Sequence, residues 1–183
     1  MRAKKWGMAA LAAPMLAVVM AWPQAAESQT GTTAVPTTQA FKEWSLDCLV
    51  PKNGEGAGKR VCFIHHEVRN RENAKLIAAR VVVRHAGPEH KLMLIMQLPP
   101  NSTQASGISV SVDNGKPQPV AIQACLQKFC YGATEMTADL QTAAKAGQQM
   151  LLGFSVADKG RQQVPVPLSG ITAALAALER TGS

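Results

Sequence analysis

Apolar and polar residues alternate at period two along most of this chain, the pattern of half-buried β-strands. Between Phe41 and Val50 the residues Trp44, Leu46, Cys48 and Val50 fall on one side. A glycine-rich loop (Pro51 to Gly58) leads to a strand over Arg60–Val68, and a polar turn (Arg69 to Asn73) leads to another over Lys75–His85. In the latter, Ile77, Ala79, Val81 and Val83 are expected in the core, with Arg80 and Arg84 on the outer face. Ala86-Gly87-Pro88-Glu89 turns the chain, and Lys91–Leu98 returns. There Leu92, Leu94, Met96 and Leu98 share one face, while Met93 and Ile95 make the other apolar too. Such a strand is either covered by a helix or faces a partner, and the helix is the expectation.

The punctuation is clearest from Ile108 to Phe154. A strand at Ile108–Val112 meets a turn at Asp113-Asn114-Gly115-Lys116-Pro117, and a second strand covers Val120–Leu126. Asp-Asn-Gly is what a tight turn requires, so Asp113 is read as a turn residue. After a short cysteine-bounded loop (Cys125 to Cys130), Thr137 can cap a helix over Ala138–Ala146, with Asp139 in its first turn, Lys145 in its last and Gly147 past its end. A strand over Met150–Val156 follows, then one over Gln162–Leu168. Pro165 and Pro167 both lack donors on the same side, which marks an outer strand protected against further pairing. Ile171, Ala174, Leu175 and Leu178 recur at helical spacing in a final helix, the best candidate to cover Met93 and Ile95. Eight or nine short strands, two short helices and no βαβ rhythm give an all-β chain folded as a two-sheet β-sandwich.

The N-terminus reads differently. Arg2, Lys4 and Lys5 form a basic end, Trp6 to Met20 is almost wholly apolar, and small residues follow. These are the parts of a secretory signal peptide over 1–21, with cleavage after Ala21 or as late as Ala26. The run falls short of the roughly 20 residues that span a bilayer, and Pro14 interrupts it. No cysteine lies near the cleavage point to carry a lipid anchor. Residues 22–40, rich in Ser, Gln, Thr and Pro, read as a disordered leader before one domain over 41–180. With the signal removed, 16 of the 19 basic residues remain against 12 acids, so a formal charge of +7 falls to +4. That charge suits mild attraction to an anionic glycan or lipid and is too small to argue nucleic-acid binding.

All four cysteines (Cys48, Cys62, Cys125, Cys130) lie beyond the signal, an even number that fits an oxidising compartment. Of three connectivities, Cys48–Cys62 and Cys125–Cys130 are favoured, because one pair sits at facing strand ends and the other within a tight loop. Catalytic dithiols favour Cys-x-x-Cys, which neither pair provides.

Several of these features, in this order, resemble the invasion-associated locus B family of exported bacterial proteins. They are Trp44-Ser45-Leu46-Asp47-Cys48, Leu98-Pro99, Gly107 to Asp113, Cys125 with Cys130, and Pro167-Leu168-Ser169-Gly170-Ile171 before an Ala/Leu helix. The similarity runs from about Phe41 to Leu178. It implies an immunoglobulin-like sandwich delivered to the periplasm, the outer-membrane surface or the medium. In pathogenic relatives it implies a part in host-cell entry. It brings no catalytic residues with it.

Candidate chemistry is sparse. His65 and His66 are adjacent on a strand and point to opposite faces. His85 and His90 flank the Ala86–Glu89 turn, and with His65 they are the weak candidates for a three-histidine metal site. No Gly-x-Ser-x-Gly nucleophile motif occurs, and nothing selects a pair of carboxylates. Arg80 and Arg84 are the candidate anionic-ligand face. The expectation is therefore a non-enzymatic binding protein that needs no cofactor. Its partner would be an envelope or host-surface protein, or an anionic glycan or lipid. The alternative is a periplasmic hydrolase or metal-dependent enzyme built on His85 and His90.

Overall fold

The computed structural model describes residues 37–70 and 73–182, and the expected signal peptide lies outside them. Eleven strands are present among the described residues: β1 (Thr37–Phe41), β2 (Trp44–Leu49), β3 (Val61–Arg69), β4 (Ile77–Ala86), β5 (Lys91–Leu98), β6 (Ile108–Val112), β7 (Gln118–Val120), β8 (Ile122–Cys125), β9 (Cys130–Glu135), β10 (Gln149–Val156) and β11 (Gly160–Pro167). Helix α1 (Ala138–Ala146) precedes β10, and helix α2 (Ile171–Arg180) closes the domain. A seven-stranded sheet runs β1-β2-β3-β4-β5-β9-β8, and a four-stranded sheet runs β11-β10-β6-β7. Every pairing is antiparallel. The all-β two-sheet sandwich with a C-terminal helix is the architecture that the alternation predicts.

Period two decides which side chains enter the core. Trp44, Leu46 and Cys48 point inward from β2, Cys62 and Ile64 from β3, Val81 and Val83 from β4, and Leu94 and Met96 from β5. They join Val110, Met150, Leu152 and Val166 of the smaller sheet in one buried cluster. The Trp44 indole N–H donates to the Pro167 carbonyl oxygen at 2.9 Å and so ties the two sheets together. β11 lies at an edge of its sheet, with Pro165 opposite Leu151 and Pro167 opposite Gln149. The missing donors therefore face away from β10.

Several expectations shift. β1 begins at Thr37, inside the stretch expected to be leader, and pairs with β2 from Thr37–Cys48 to Phe41–Trp44. A polar strand can form here because an edge strand needs only a partner's free backbone groups, not a buried face of its own. The segment expected as one strand from Val120 divides: β7 belongs to the small sheet and β8 to the large one. The chain crosses between sheets at Ala121, and Val120 and Ile122 on either side both stay buried. β9 was not foreseen at all. It pairs with β5 and β8, but its inward position Gly132 is small for a reason. A Cβ there would lie 2.6 Å from the Ala121 carbonyl oxygen and 2.8 Å from Ile108 Cδ1.

Helix α2 forms as expected but covers the opposite face. Its buried stripe of Ile171, Ala174, Leu175 and Leu178 packs on β1, β2 and β3. Ala177 lies beside the inward-facing Leu46 and Cys48, and Glu179 Oε1 stands 3.7 Å from His85 Nε2. The four-stranded sheet is too narrow to cover a seven-stranded one, and the helix fills the remainder. Met93 and Ile95 are half-buried on the outer face, and among the described residues no helix packs over them. The helix enters through Gly170, whose φ of 94° and whose contact with the Phe41 carbonyl exclude a side chain. Helix α1 has the predicted cap, Thr137 Oγ1 accepting from the Leu140 N–H at 3.3 Å. Asp113 (φ 48°) accepts from the Gln148 and Gln149 N–H groups at 3.1 and 3.0 Å, binding the β6–β7 turn to β10. Its role is the structural one that its turn sequence implied.

Candidate functional site

Both disulfides form locally. Cys48–Cys62 bridges directly opposed residues of β2 and β3, and Cys125–Cys130 closes the β8–β9 hairpin. The described cysteines are all paired, so none supplies a thiolate nucleophile.

Arg80 and Arg84 point outward from β4, as the alternation requires, among Phe63, Val82 and Ile95. Their charges are partly met. The Glu55 carboxylate, on the β2–β3 loop, accepts from Arg84 Nη2 at 2.7 Å and from the Gly87 N–H at 2.7 Å. The Gly87 N–H, then the Arg84 guanidinium, hold the Glu55 carboxyl below its ordinary 4.5. Arg80 lies 5.9 Å over the Phe63 ring. Its Nε stands 3.6 Å from Glu67 Oε1 and has no hydrogen-bond partner, because that distance is too long for a hydrogen bond.

The histidines separate. His65 projects from the outer face of β3 and meets Asp47 Oδ2 at 2.8 Å. His85 lies inward on β4 near Glu179, and His90 occupies the turn with a φ of 47°. The sheet stands between His65 and His85, so the three expected candidates do not share a site. Among the described residues no group of three or more His, Cys, Asp or Glu side chains is placed to hold a metal ion.

The Asp47–His65 contact carries a pH prediction. Burial raises the Asp47 carboxyl, but its cross-strand neighbour Thr38, the bonded His65 ring and the charge of Arg80 outweigh that and leave it below 3.8. A depressed carboxyl stabilises the fold fully above its unfolded value and loses that contribution as pH falls through the folded value. Asp47→Asn should therefore reduce stability above pH 3.8 and converge on the parent in more acid solution. Urea titrations across that range test it, and parallel acid limbs in the two proteins would refute it.

A cleft of about 690 Å³ opens at one end of the sandwich. The start of β4, the end of β5, the β8–β9 turn and the β10–β11 hairpin surround it. Ala78, Leu98, Phe154, Val156 and Val164 give it apolar walls, and Lys75, Lys128 and Lys159 stand at its rim. Arg80 and Gln97 line both this cleft and the outer-face groove beside Arg84. Among the described residues, no Asp or Glu lines the cleft.

The family described as "Invasion associated locus B (IalB) protein" matches residues 44–179. The chain belongs to the IalB family. A crystal structure of invasion associated protein b from Bartonella henselae is similar in fold, with 23% identity and a TM-score of 0.66, covering 80% of this chain and 97% of that chain. No curated protein sequence matches. The IalB match includes both disulfides and every cation of the cleft. Paired cysteines fit an exported IalB protein, and no helix among the described residues is long and apolar enough to cross a membrane. The cleft of this IalB chain has no linear signature. Lys75, Lys128 and Lys159 sit in three turns widely separated in sequence, and only the strand order brings them to one end.

Proposed function

We propose that this IalB-family protein is exported through an N-terminal signal peptide and acts in the periplasm or at the cell surface as a non-catalytic binding protein. In a host-associated bacterium that binding would serve contact with, and entry into, host cells. The observation that carries the reading is the composition of the cleft: apolar walls, amides and a cationic rim, groups that hold a ligand rather than attack one. Membership of the IalB family and two hairpin-closing disulfides support the compartment.

The test is expression of the full chain in its own host, followed by osmotic-shock fractionation and intact mass. The protein is expected in the shock fluid with its N-terminus at residue 22 or 27 and no bound metal. Cytoplasmic retention with Met1 in place would contradict export. Stoichiometric zinc that disappears in His85→Ala would support the enzyme instead.

A further inference from the structure

We propose that the Cys125–Cys130 bond is a site of reversible thiol–disulfide exchange, opened by an external dithiol that attacks Cys125 Sγ while Cys48–Cys62 stays closed. The site takes its oxidised starting state from the export reading above and needs no ligand in the cleft.

The two bonds differ first in what can reach them. Exchange proceeds only at a sulfur open to an attacking thiolate. Cys48, Cys62 and Cys130 are buried, at 6%, 2% and 0% exposure, whereas Cys125 is exposed. They differ again in the room that opening needs, since two separated thiols occupy more space than one bond. The core around Cys48 and Cys62 resists such overpacking, and the solvent side of Cys125 does not. The β8–β9 hairpin also survives the loss of its link. Cys125 and Cys130 are directly opposed at its end, and β9 stays paired with β5 from Met93–Glu135 to Leu98–Cys130. The turn has a backbone bond of its own, the Leu126 N–H donating to the Phe129 carbonyl at 2.8 Å. The freed cysteines therefore remain face to face, placed to close again.

Acceptors for the reduced form are already in place. Cys130 Sγ lies 3.4 Å from the Pro100 carbonyl oxygen and 3.7 Å from that of Ser102, and Cys125 Sγ lies 3.8 Å from the latter. A bridged sulfur has no hydrogen to offer these oxygens, whereas a thiol is a weak donor to them. In the exchange, one thiolate of the dithiol bonds to Cys125 Sγ as the Cys125–Cys130 bond breaks. Cys130 leaves with the electron pair, takes up a proton and donates it to the Pro100 carbonyl. The second thiolate of the dithiol then attacks its own bonded sulfur and releases Cys125. The protein gains two electrons and two protons, and the dithiol becomes a disulfide. The spacing is not Cys-x-x-Cys, so this bond is acted upon and is not itself a catalyst of exchange. Lys128 and Phe129 of the enclosed turn line the cleft, as do Pro100 and Asn101, so opening acts on one of its walls.

The test exposes the exported, disulfide-intact protein to dithiothreitol and traps it at intervals with N-ethylmaleimide for peptide mapping. Label at Cys125 and Cys130 should appear about tenfold faster than at Cys48 and Cys62. The singly opened protein should keep the near-ultraviolet dichroism of its parent and re-form the bond once the dithiol is oxidised. With glutathione in place of the dithiol, the mixed disulfide should be found on Cys125. Cys130→Ala and Cys125→Ala each leave one thiol of the pair, and their melting curves are recorded alongside. The thiol left at Cys125 should take label about tenfold faster than the one left at Cys130. Opening of both bonds at one rate, or of Cys48–Cys62 first, would overturn the assignment. So would label that appears only as the dichroism is lost, glutathione on Cys130, or equal labelling of the two single variants. A processed, oxidised protein whose bonds open together loses this site alone, whereas a chain that keeps Met1 and reduced cysteines loses the export reading beneath it.

Discussion

Replacing Trp44 with alanine is expected to lower the unfolding free energy by about 3–5 kcal/mol, the range for deleting a large aromatic side chain from a packed core. Trp44 is fully buried, at 0% exposure, where β2 meets both the small sheet and the C-terminal helix region. Two losses combine. The cavity left by the indole cannot close, because the residues around it are strand residues fixed by backbone pairing. The Pro167 carbonyl also loses its donor at 2.9 Å in a partly buried position, and an unmade bond of this kind costs about 1–3 kcal/mol. Trp44→Phe separates the two terms. It retains most of the apolar volume but strands the carbonyl, so it should cost only about 1–3 kcal/mol. Urea unfolding of the three proteins at one pH measures both steps. In thermal scans, the alanine variant should melt roughly 6–20 °C lower for a chain of this size. An alanine variant as stable as its parent would mean that the two sheets are not joined through this residue.

The second large effect concerns the Cys48–Cys62 bond. Its cysteines are 14 residues apart, against 5 for Cys125–Cys130. On loop-closure entropy the longer loop stabilises by about 3 kcal/mol and the shorter by about 2 kcal/mol. The packing context widens the difference. Cys48 and Cys62 both point into the core at 6% and 2% exposure, between Leu46, Ile64 and the α2 stripe, whereas in the other pair Cys130 is buried but Cys125 lies exposed at the tip of a hairpin. Cys48→Ala/Cys62→Ala should therefore destabilise more than Cys125→Ala/Cys130→Ala in non-reducing urea titrations. The reverse order would show that the hairpin at the cleft, not the β2–β3 staple, carries the fold.

The sequence made the strongly patterned elements legible. β5, β6 and β10 each carry a run of large apolar residues at period two, so their faces and approximate ends could be read. The caps of α1 are chemically specific, and Pro165 with Pro167 declared an edge. What escaped reading had no run of large apolar residues to mark it. β9 presents Gly132, Ala133 and Thr134, and at Gly132 the Ile108 side chain and the Ala121 carbonyl occupy the space that a side chain would need. β1 is polar because it is an outermost strand. Val50 and Ile77 match the alternation yet are exposed, since each lies at the end of its pairing: β2 stops at Leu49, and β4 begins beyond a register shift at Val68–Arg69. The stripe of α2 was visible, but the face on which it docks depends on the width of the smaller sheet, which no local pattern encodes. The candidate site was the least legible part. Arg80 was singled out for its outward position, but its neighbours at the cleft come from turns that only the sheet order assembles.

Export is the claim on which compartment, disulfides and thiol exchange all depend. The most direct measurement is a non-reducing peptide map of the protein isolated from its own bacterium. The account predicts a chain lacking residues 1–21 or 1–26, with Cys48 linked to Cys62, Cys125 linked to Cys130 and no free thiol. Reduced cysteines on a chain that still begins at Met1 would contradict it.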